Sequence, residues 1–243
     1  MPPIALLTDF GTTDPYVGIM KGVIASVAPG VPVLDVSHAV PPQDVRVGAL
    51  FLEAAWPYFP EATVFVAVVD PGVGTARRPL VVRAAGRLFV GPDNGIFGLL
   101  PDAEVRHLTA PWGLPARSRT FHGRDLFAPA AAHLAAGAPF DAVGPLLDDA
   151  HPLVLPAAVD GHGEVLYVDR FGNAVTNLLG VDHGVLIFGS TRARVVRTYG
   201  EGASGEAIAL TGSTGRLEAA VRDGNAAAEL GLSAGDAVAW EPE

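Results

Sequence analysis

A glycine-rich loop in the first third of the chain combines a carboxylate with two guanidinium groups. It runs Asp70-Pro71-Gly72-Val73-Gly74-Thr75-Ala76-Arg77-Arg78 and directly follows an apolar, β-branched run. Glycines allow the backbone to approach a ligand closely, and the loop lacks the Gly-Lys-Ser/Thr ending of a phosphate-binding P-loop. Two interpretations stay open. The loop carries chemistry, or an Asp–Arg ion pair only fixes its shape.

A histidine lies between an aromatic residue and a glycine in a second segment, Phe121-His122-Gly123-Arg124-Asp125, just before an alanine-rich stretch. Imidazole changes charge near neutral pH, so His122 is a candidate acid, base or water-orienting group. The alternative is a structural histidine. The chain has 7 histidines and no His-x-x-x-His spacing among them, so we expect no transition-metal site.

A further candidate carboxylate, Asp9, directly follows the first apolar run, in the segment Thr8-Asp9-Phe10-Gly11. In an open parallel sheet, ligands bind beyond the carboxyl ends of the strands. There, Asp9 can accept two hydrogen bonds from a ribose diol. The alternative is that Asp9 or Asp14 caps the helix that follows.

The second half contains a segment rich in amide side chains, from Tyr167 to Asn177, with Phe171-Gly172-Asn173 at its centre. Asparagine presents a donor and an acceptor to a purine edge, and phenylalanine offers a stacking face. A β-turn explains the same residues. The segments 212–215 and 225–227 are further loops of one pocket or ordinary hairpin turns.

The elements that must position these residues change type along the chain. The first half alternates predicted strands (Ile4–Thr8, Val31–Val36, Thr63–Val69) with predicted helices (Tyr16–Ala28, Gln43–Trp56), followed by a hairpin (Pro79–Ala84, Arg87–Val90) and a helix (Asp125–Ala136). Such alternation predicts an α/β amino-terminal domain with a mainly parallel sheet. Prolines cluster between residues 139 and 156, and short strand-like runs separated by glycines follow, which predicts a small all-β domain, a barrel or sandwich. We place the domains at 1–150 and 151–243.

Composition excludes several classes of protein. The chain has 243 residues, 16 Lys+Arg against 26 Asp+Glu, and a formal net charge of −10. This charge argues against nucleic acid and anionic membrane as partners. The chain has no cysteine, so thiol nucleophiles and disulfides are excluded. No secretory signal or membrane-spanning run is present in the sequence, and we expect a soluble, cytoplasmic protein.

Together the motifs around Asp9, Asp70, His122 and Asn173 resemble the S-adenosyl-L-methionine (SAM) hydroxide adenosyltransferase family. These are adenosine-forming SAM hydrolases, and SAM fluorinases and chlorinases are related to them. The resemblance covers nearly the whole chain. It implies a β-barrel as second domain, SAM as substrate, adenosine and L-methionine as products, and no cofactor. It also implies a homotrimer, with SAM between the first domain of one chain and the second domain of its neighbour.

The resemblance further implies roles for individual residues. Asp70, Arg77 and His122 form the catalytic set, with Arg77 preferred to Arg78 because of its spacing from the aspartate. The substrate-binding residues implied are Asp9 at the ribose hydroxyls, Asn173 at the adenine, Phe171 and Tyr199 near the base, Asp14, Asp169 and Ser213 at the methionine end, and Ala226 in a further loop of the pocket.

Departures from the halogenating relatives bear on the reaction. Those relatives carry Tyr where this chain has Asp70, Trp where it has Gln43, and Arg where it has Thr214. A carboxylate beside the reacting carbon repels a halide but can orient water and accept its proton. A nearby arginine favours the ionised form of Asp70 and weakens it as a base. We therefore expect Asp70 to orient water and to act through its charge.

Three other functions stay open. The nearest is a SAM halogenase of the chlorinase type. The second is a non-catalytic nucleoside-binding protein, which would have little use for Asp70, Arg77 and His122 together. The third is an aspartate-rich, metal-dependent phosphoesterase, which the histidine spacing disfavours.

Overall fold

The chain divides into two compact units, Met1–Val154 and Leu155–Glu243, in a computed structural model that describes residues 1–116 and 118–242. The first unit contains strands β1 (Ile4–Thr8), β2 (Val33–Ser37), β3 (Val64–Val68), β4 (Pro79–Ala84), β5 (Arg87–Pro92), β6 (Glu104–His107) and β7 (Leu146–Leu147), and helices α1 (Tyr16–Val27), α2 (Val45–Ala55) and α3 (Ala128–Ala135).

The seven strands of this unit form one sheet in the order β2-β1-β3-β5-β4-β6-β7. Strands β2, β1, β3 and β5 run parallel to their neighbours, and the β4–β5 hairpin then begins an antiparallel edge. Every residue of β1 and β3 is buried. This explains their continuous apolar sequences, because strands covered on both faces need apolar side chains on both.

Helices α1 and α3 pack against each other and against one face of the sheet, where Ile4, Leu6, Val64 and Val66 belong to the same core cluster. The alanine-rich helix α3 begins at Ala128 and not at Asp125, where the sequence predicted its start. A π-helical turn, Gly123–Phe127, precedes α3. Such turns are rare and are frequently found at functional sites. Here the turn follows His122 directly.

The second unit is a closed barrel with the strand order β10-β11-β12-β13-β9-β8-β14. Its elements are β8 (His162–Val168), β9 (Ala174–Leu179), β10 (Val185–Phe188), β11 (Thr191–Val195), β12 (Ala207–Thr211), β13 (Arg216–Val221), β14 (Ala237–Glu241) and the short helix α4 (Ala226–Leu230). The prediction of an α/β domain followed by a small β-barrel is confirmed.

Two barrel strands, β9 and β13, lie outside the strand-like runs that the sequence predicts for the second half, which are Glu164–Val168, Val185–Phe188, Arg194–Thr198, Ala207–Thr211 and Ala237–Trp240. Thr176, Asn177, Arg216 and Glu218 are buried polar side chains on these strands, and they hide the apolar alternation by which strands are recognised. Across the part of the chain that the structure describes, no helix is long and apolar enough to cross a membrane.

Gly91 on β5 is a position at which the sheet excludes any side chain. A Cβ atom there would lie 2.3 Å from the carbonyl oxygen of Ala67 and 2.9 Å from the Phe97 ring. We expect Gly91→Ala to lower the free energy of unfolding by about 1–3 kcal/mol, because the core would be overpacked. Urea unfolding followed by circular dichroism measures the change.

Gly22 on α1 provides the matched control, because nothing lies within 4 Å of a Cβ atom at that position. We expect Gly22→Ala to raise the free energy of unfolding by about 0.5–1 kcal/mol. Equal effects of the two substitutions would contradict the close approach of β5 to β3.

Candidate active site

Two of the candidate carboxylates follow neighbouring parallel strands at the same edge of the sheet. Thr8 at the end of β1 pairs in register with Val68 at the end of β3. Asp9 follows the first strand directly, and Asp70 lies two residues beyond the second. The register therefore brings both carboxylates to the carboxyl edge, where open α/β sheets bind their ligands.

The glycine-rich loop returns on itself through successive tight turns. The N–H of Val73 donates to the Asp70 carbonyl at 3.2 Å. The N–H and the hydroxyl of Thr75 both donate to the Gly72 carbonyl, at 3.1 and 2.7 Å. The Thr75 hydroxyl oxygen accepts the N–H of Arg77 at 3.3 Å. These hydrogen bonds turn the chain back, so that Arg77 can reach Asp70 seven positions earlier.

Arg77 forms a bidentate ion pair with Asp70. Its Nε donates to Oδ1 at 3.0 Å, and its Nη2 donates to Oδ2. The side chains of Arg77 and Asp70 are only 9% and 5% exposed, so the pair is strong and little screened by solvent. Arg78 points elsewhere and pairs with Asp93 and Asp149. The spacing argument that preferred Arg77 thus agrees with the geometry.

His122 joins this pair through the same guanidinium group. Nη2 of Arg77 lies 2.8 Å from Nδ1 of His122. A guanidinium only donates hydrogen bonds, so Nδ1 accepts and the imidazole is neutral, with its hydrogen on Nε2. The Phe127 ring lies 5.3 Å from the guanidinium carbon and packs edge-on against His122. Asp70, Arg77 and His122 therefore form one hydrogen-bonded cluster.

Asp9 is held by the segment that follows β2. Its Oδ2 accepts the N–H of Gln43 at 2.8 Å, and Gln43 has a φ of +67°. The alternative in which Asp9 or Asp14 caps α1 is wrong, because Pro15 occupies the cap position and no side chain caps the helix. Asp14 is exposed in the turn before α1.

One further residue fixes the end of β3, and the sequence did not suggest it. The Asn94 amide donates to the carbonyl of Val69 at 2.8 Å, immediately before Asp70. Asn94 follows β5, which is the neighbour of β3 in the sheet. Only the strand order makes this contact foreseeable, and the sequence does not give that order.

In the second unit, the amide-rich segment forms a polar cluster around Asp169. Its Oδ1 accepts the N–H groups of Phe171 and Asn173, each at 2.8 Å, and its Oδ2 accepts the Asn173 amide at 3.0 Å. The same amide nitrogen donates to the Tyr199 hydroxyl oxygen at 3.2 Å. Both amide hydrogens of Asn173 thus face protein acceptors. These contacts fix the orientation of the amide group and therefore the direction of its carbonyl oxygen.

Glu218 completes the cluster and was missed because it lies within β13, an unpredicted strand. The Tyr199 hydroxyl donates to Glu218. Burial and this hydrogen bond to a carboxylate raise the pKa of Tyr199. Burial raises the pKa of Glu218, and the negative charge of Asp169 adds to this effect. The hydrogen bond from Tyr199 lowers the pKa but is outweighed. Tyr199 is therefore a neutral donor at physiological pH.

The cluster opens onto a cleft of about 550 Å³ lined by Phe171, Asn173, Tyr199 and the 221–224 turn. This volume lies within the range of small-molecule pockets. Phe171 is 78% exposed and precedes Gly172, whose φ of +88° makes the turn. The segment is therefore a turn, as one interpretation predicted, and two of its residues line a cleft.

The two remaining candidates lie beside the cluster. Ala226 is buried at the start of α4, and the next residue, Ala227, donates its N–H to the Gly172 carbonyl at 2.9 Å. Ser213 is exposed in the hairpin turn between β12 and β13. That turn approaches the cluster through Gly212, where a Cβ atom would lie 2.5 Å from Glu218 Oε2.

Residues 1–116 and 118–242 contain no group of three or more histidine or acidic side chains placed to hold a metal ion. One Glu-x-x-His spacing does occur, from Glu104 to His107, but it lies on strand β6. Residues three apart on a strand point to opposite faces, so these two do not form a ligand pair.

Both units match models of known protein domains. The model of the SAM hydroxide adenosyltransferase N-terminal domain matches residues 4–144, and that of the C-terminal domain matches residues 163–239. The chain is 48% identical to the (R)-S-adenosyl-L-methionine hydrolase of Thermus thermophilus, over 97% of this chain and 98% of that protein. A fluorinase of Nocardia brasiliensis is more distant, at 30% identity over 98% of this chain and 96% of its own length.

A solved structure has the same fold. The crystal structure of an uncharacterized conserved protein from Thermotoga maritima is 36% identical and matches with a TM-score of 0.90, over 98% of this chain and 100% of that one. The sequence resemblance, the two matched domains and the shared fold lead to one conclusion: the chain belongs to the SAM hydroxide adenosyltransferase family.

Proposed function

We propose that this protein is an enzyme that hydrolyses SAM to adenosine and L-methionine by attack of water on the ribose C5′. One observation carries the proposal, namely the partly buried cluster in which Arg77 binds both Asp70 and His122 at the carboxyl edge of the sheet. Membership in a family whose relatives are named SAM hydrolases supplies the substrate.

The reaction balances without an added oxidant, reductant or acid. The oxygen of water forms a bond to C5′ while the C5′–S bond breaks, and its electron pair leaves with sulfur as the neutral thioether of methionine. One proton is released per turnover. The sulfonium is already a good leaving group, so the difficult part is the nucleophile, because bulk water has a pKa of about 15.7.

The geometry supports complementary tasks for the three side chains. Asp70 keeps acceptor positions beyond the two that Arg77 occupies, and these can bind the hydrogens of water and direct its lone pair at C5′. Arg77 Nη1 carries two further N–H groups that can donate to the developing hydroxide. His122 accepts from Arg77 through Nδ1 and holds the guanidinium in place. Orientation of the water and the charge of the carboxylate supply most of the effect of Asp70.

The proposal includes the substrate-binding residues. Asp9 binds the ribose hydroxyls, the oriented carbonyl of Asn173 accepts from the adenine amino group, and Phe171 and Tyr199 flank the base. Asp14, Asp169 and Ser213 face the methionine end, and Ala226 borders the pocket. The family resemblance also supports a homotrimer, in which the first unit of one chain and the second unit of its neighbour enclose SAM.

Water is favoured over halide as the nucleophile for an electrostatic reason. The ionised Asp70 is nearly buried, and a buried negative charge next to the reacting carbon repels an anion. A hydrolase and a halogenase therefore differ here in the charge of one side chain.

Isotope labelling tests the reaction directly. We expect incubation with SAM in ¹⁸O-labelled water to give adenosine that carries ¹⁸O in its 5′-hydroxyl, together with unlabelled methionine, because solvent attacks carbon. Mass spectrometry of the products locates the label. SAM is supplied in both configurations at sulfur, since the name of the relative from Thermus thermophilus specifies the (R) form.

Other outcomes would support the other functions. Formation of 5′-chloro-5′-deoxyadenosine in added chloride would indicate a halogenase. Binding of adenosine without release of methionine over hours would indicate a nucleoside-binding protein. Adenosine without label would reject attack by water at C5′.

Asp70→Asn separates the charge of this side chain from its shape. The amide oxygen can still accept from Arg77, but the negative charge that orients water is lost. We expect kcat to fall by about 100-fold or more, while the Kd for adenosine, measured by calorimetry, changes by less than about threefold. Asp141→Asn is the control, since Asp141 is 79% exposed and pairs with Arg106. Turnover of Asp70→Asn at the wild-type rate would contradict the assignment.

A further inference from the structure

A buried polar pair lies directly behind Asp9 and has no part in the reaction described above. Thr8 is fully buried and His38 is 7% exposed. The Thr8 hydroxyl oxygen lies 2.9 Å from His38 Nδ1 and also accepts the N–H of Phe10 at 3.2 Å. Buried polar side chains are normally hydrogen-bonded, and these two bind each other.

Charged groups on β2 and α1 orient the imidazole from its other side. Nε2 of His38 lies 2.9 Å from Asp35 Oδ1, away from the N–H axis, so the contact is chiefly electrostatic. Lys21 donates to Asp35 Oδ2 at 2.7 Å. Burial raises the pKa of Asp35, but its contacts with Lys21 and His38 outweigh this and lower it overall. An ionised Asp35 favours the hydrogen on Nε2, which leaves Nδ1 to accept from Thr8.

Three contacts join the end of β1 and the residues that follow it to the segment after β2. Thr8 binds the His38 ring, the N–H of Gly11 donates to the His38 carbonyl at 2.8 Å, and Asp9 Oδ2 accepts the N–H of Gln43 at 2.8 Å. Asp9 therefore lies between two contacts made by His38, and a third contact fixes its carboxylate. The His38 ring therefore contacts the residue before Asp9, and the His38 carbonyl contacts the segment after it.

We propose that Thr8 and His38 are positioning residues that fix the Asp9 carboxylate toward the 2′- and 3′-hydroxyls of the bound ribose. This inference rests on the proposed role of Asp9. Thr8 and His38 touch no substrate atom. They set the direction of a carboxylate that does, as hydrogen-bonded neighbours orient the ligands of a metal. His38→Leu or Thr8→Val leaves Asp9 in the chain but releases its orientation.

The test compares two ligands that differ only in the diol. Calorimetry gives the Kd for adenosine and for 2′,3′-dideoxyadenosine. We expect the wild-type protein to prefer adenosine by about tenfold or more, since hydrogen bonds to a charged group are strong. Thr8→Val keeps the buried volume, and we expect it, like His38→Leu, to remove most of this preference. His38→Asn restores an acceptor near the position of Nδ1, and we expect it to recover the preference.

Two further variants complete the design. Asp9→Asn reports the effect of losing the carboxylate, and adding His38→Leu to it should cause no further loss of preference. His151→Leu is the control, because His151 is exposed and remote in sequence from Asp9. Its preference should equal that of the wild-type protein.

The outcomes distinguish this inference from the proposed function. A wild-type protein without preference for adenosine would overturn the ribose role of Asp9, and the positioning role with it. A wild-type preference that Thr8→Val and His38→Leu retain, even with both ligands bound more weakly, would show that the pair only stabilises the fold. Loss of preference with dideoxyadenosine affinity unchanged would support the positioning role.

Discussion

The site depends on one buried guanidinium group. Arg77 binds Asp70 through two nitrogens and His122 through one of the same two, so removing any partner would leave a buried charge or donor unpaired. Losing one partner of a buried ion pair typically costs about 3–5 kcal/mol. The cluster is therefore both a structural constraint and a preformed charge distribution, and such preformed charges stabilise the charge that develops in a transition state.

The fold supplies this arrangement through the parallel register of its central strands. The pairing of β1 with β3 sets Asp9 and Asp70 at one edge, and the turn chemistry of the glycine-rich loop returns Arg77 to Asp70. The π-helical turn after His122 places Phe127 beneath the guanidinium. In the barrel, Asp169 and Glu218 orient Asn173 and Tyr199 in the same manner. In both units, acidic side chains fix neighbouring polar groups by accepting their hydrogens.

Much of this was predictable from the sequence. Continuous apolar strands, turn residues and the change in composition near the middle predicted an α/β domain followed by a small all-β domain. The family resemblance supplied the barrel and the spacing by which Arg77 was preferred. Contacts between distant segments were not predictable from periodicity or spacing. Asn94, Glu218 and His38 each act on a segment that is adjacent only in the folded sheet or barrel. Buried polar residues also disguised β9 and β13, because a strand is recognised by the apolar alternation that those residues interrupt.

A crystal structure with adenosine bound tests the central claim most directly, because the 5′-hydroxyl oxygen marks the position of the attacking water. We expect this oxygen within about 3.5 Å of the Asp70 carboxylate or the Arg77 guanidinium, with the ribose hydroxyls on Asp9. A 5′-oxygen more than about 6 Å from Asp70, Arg77 and His122 would contradict the claim, since no water bound by the cluster could then reach C5′.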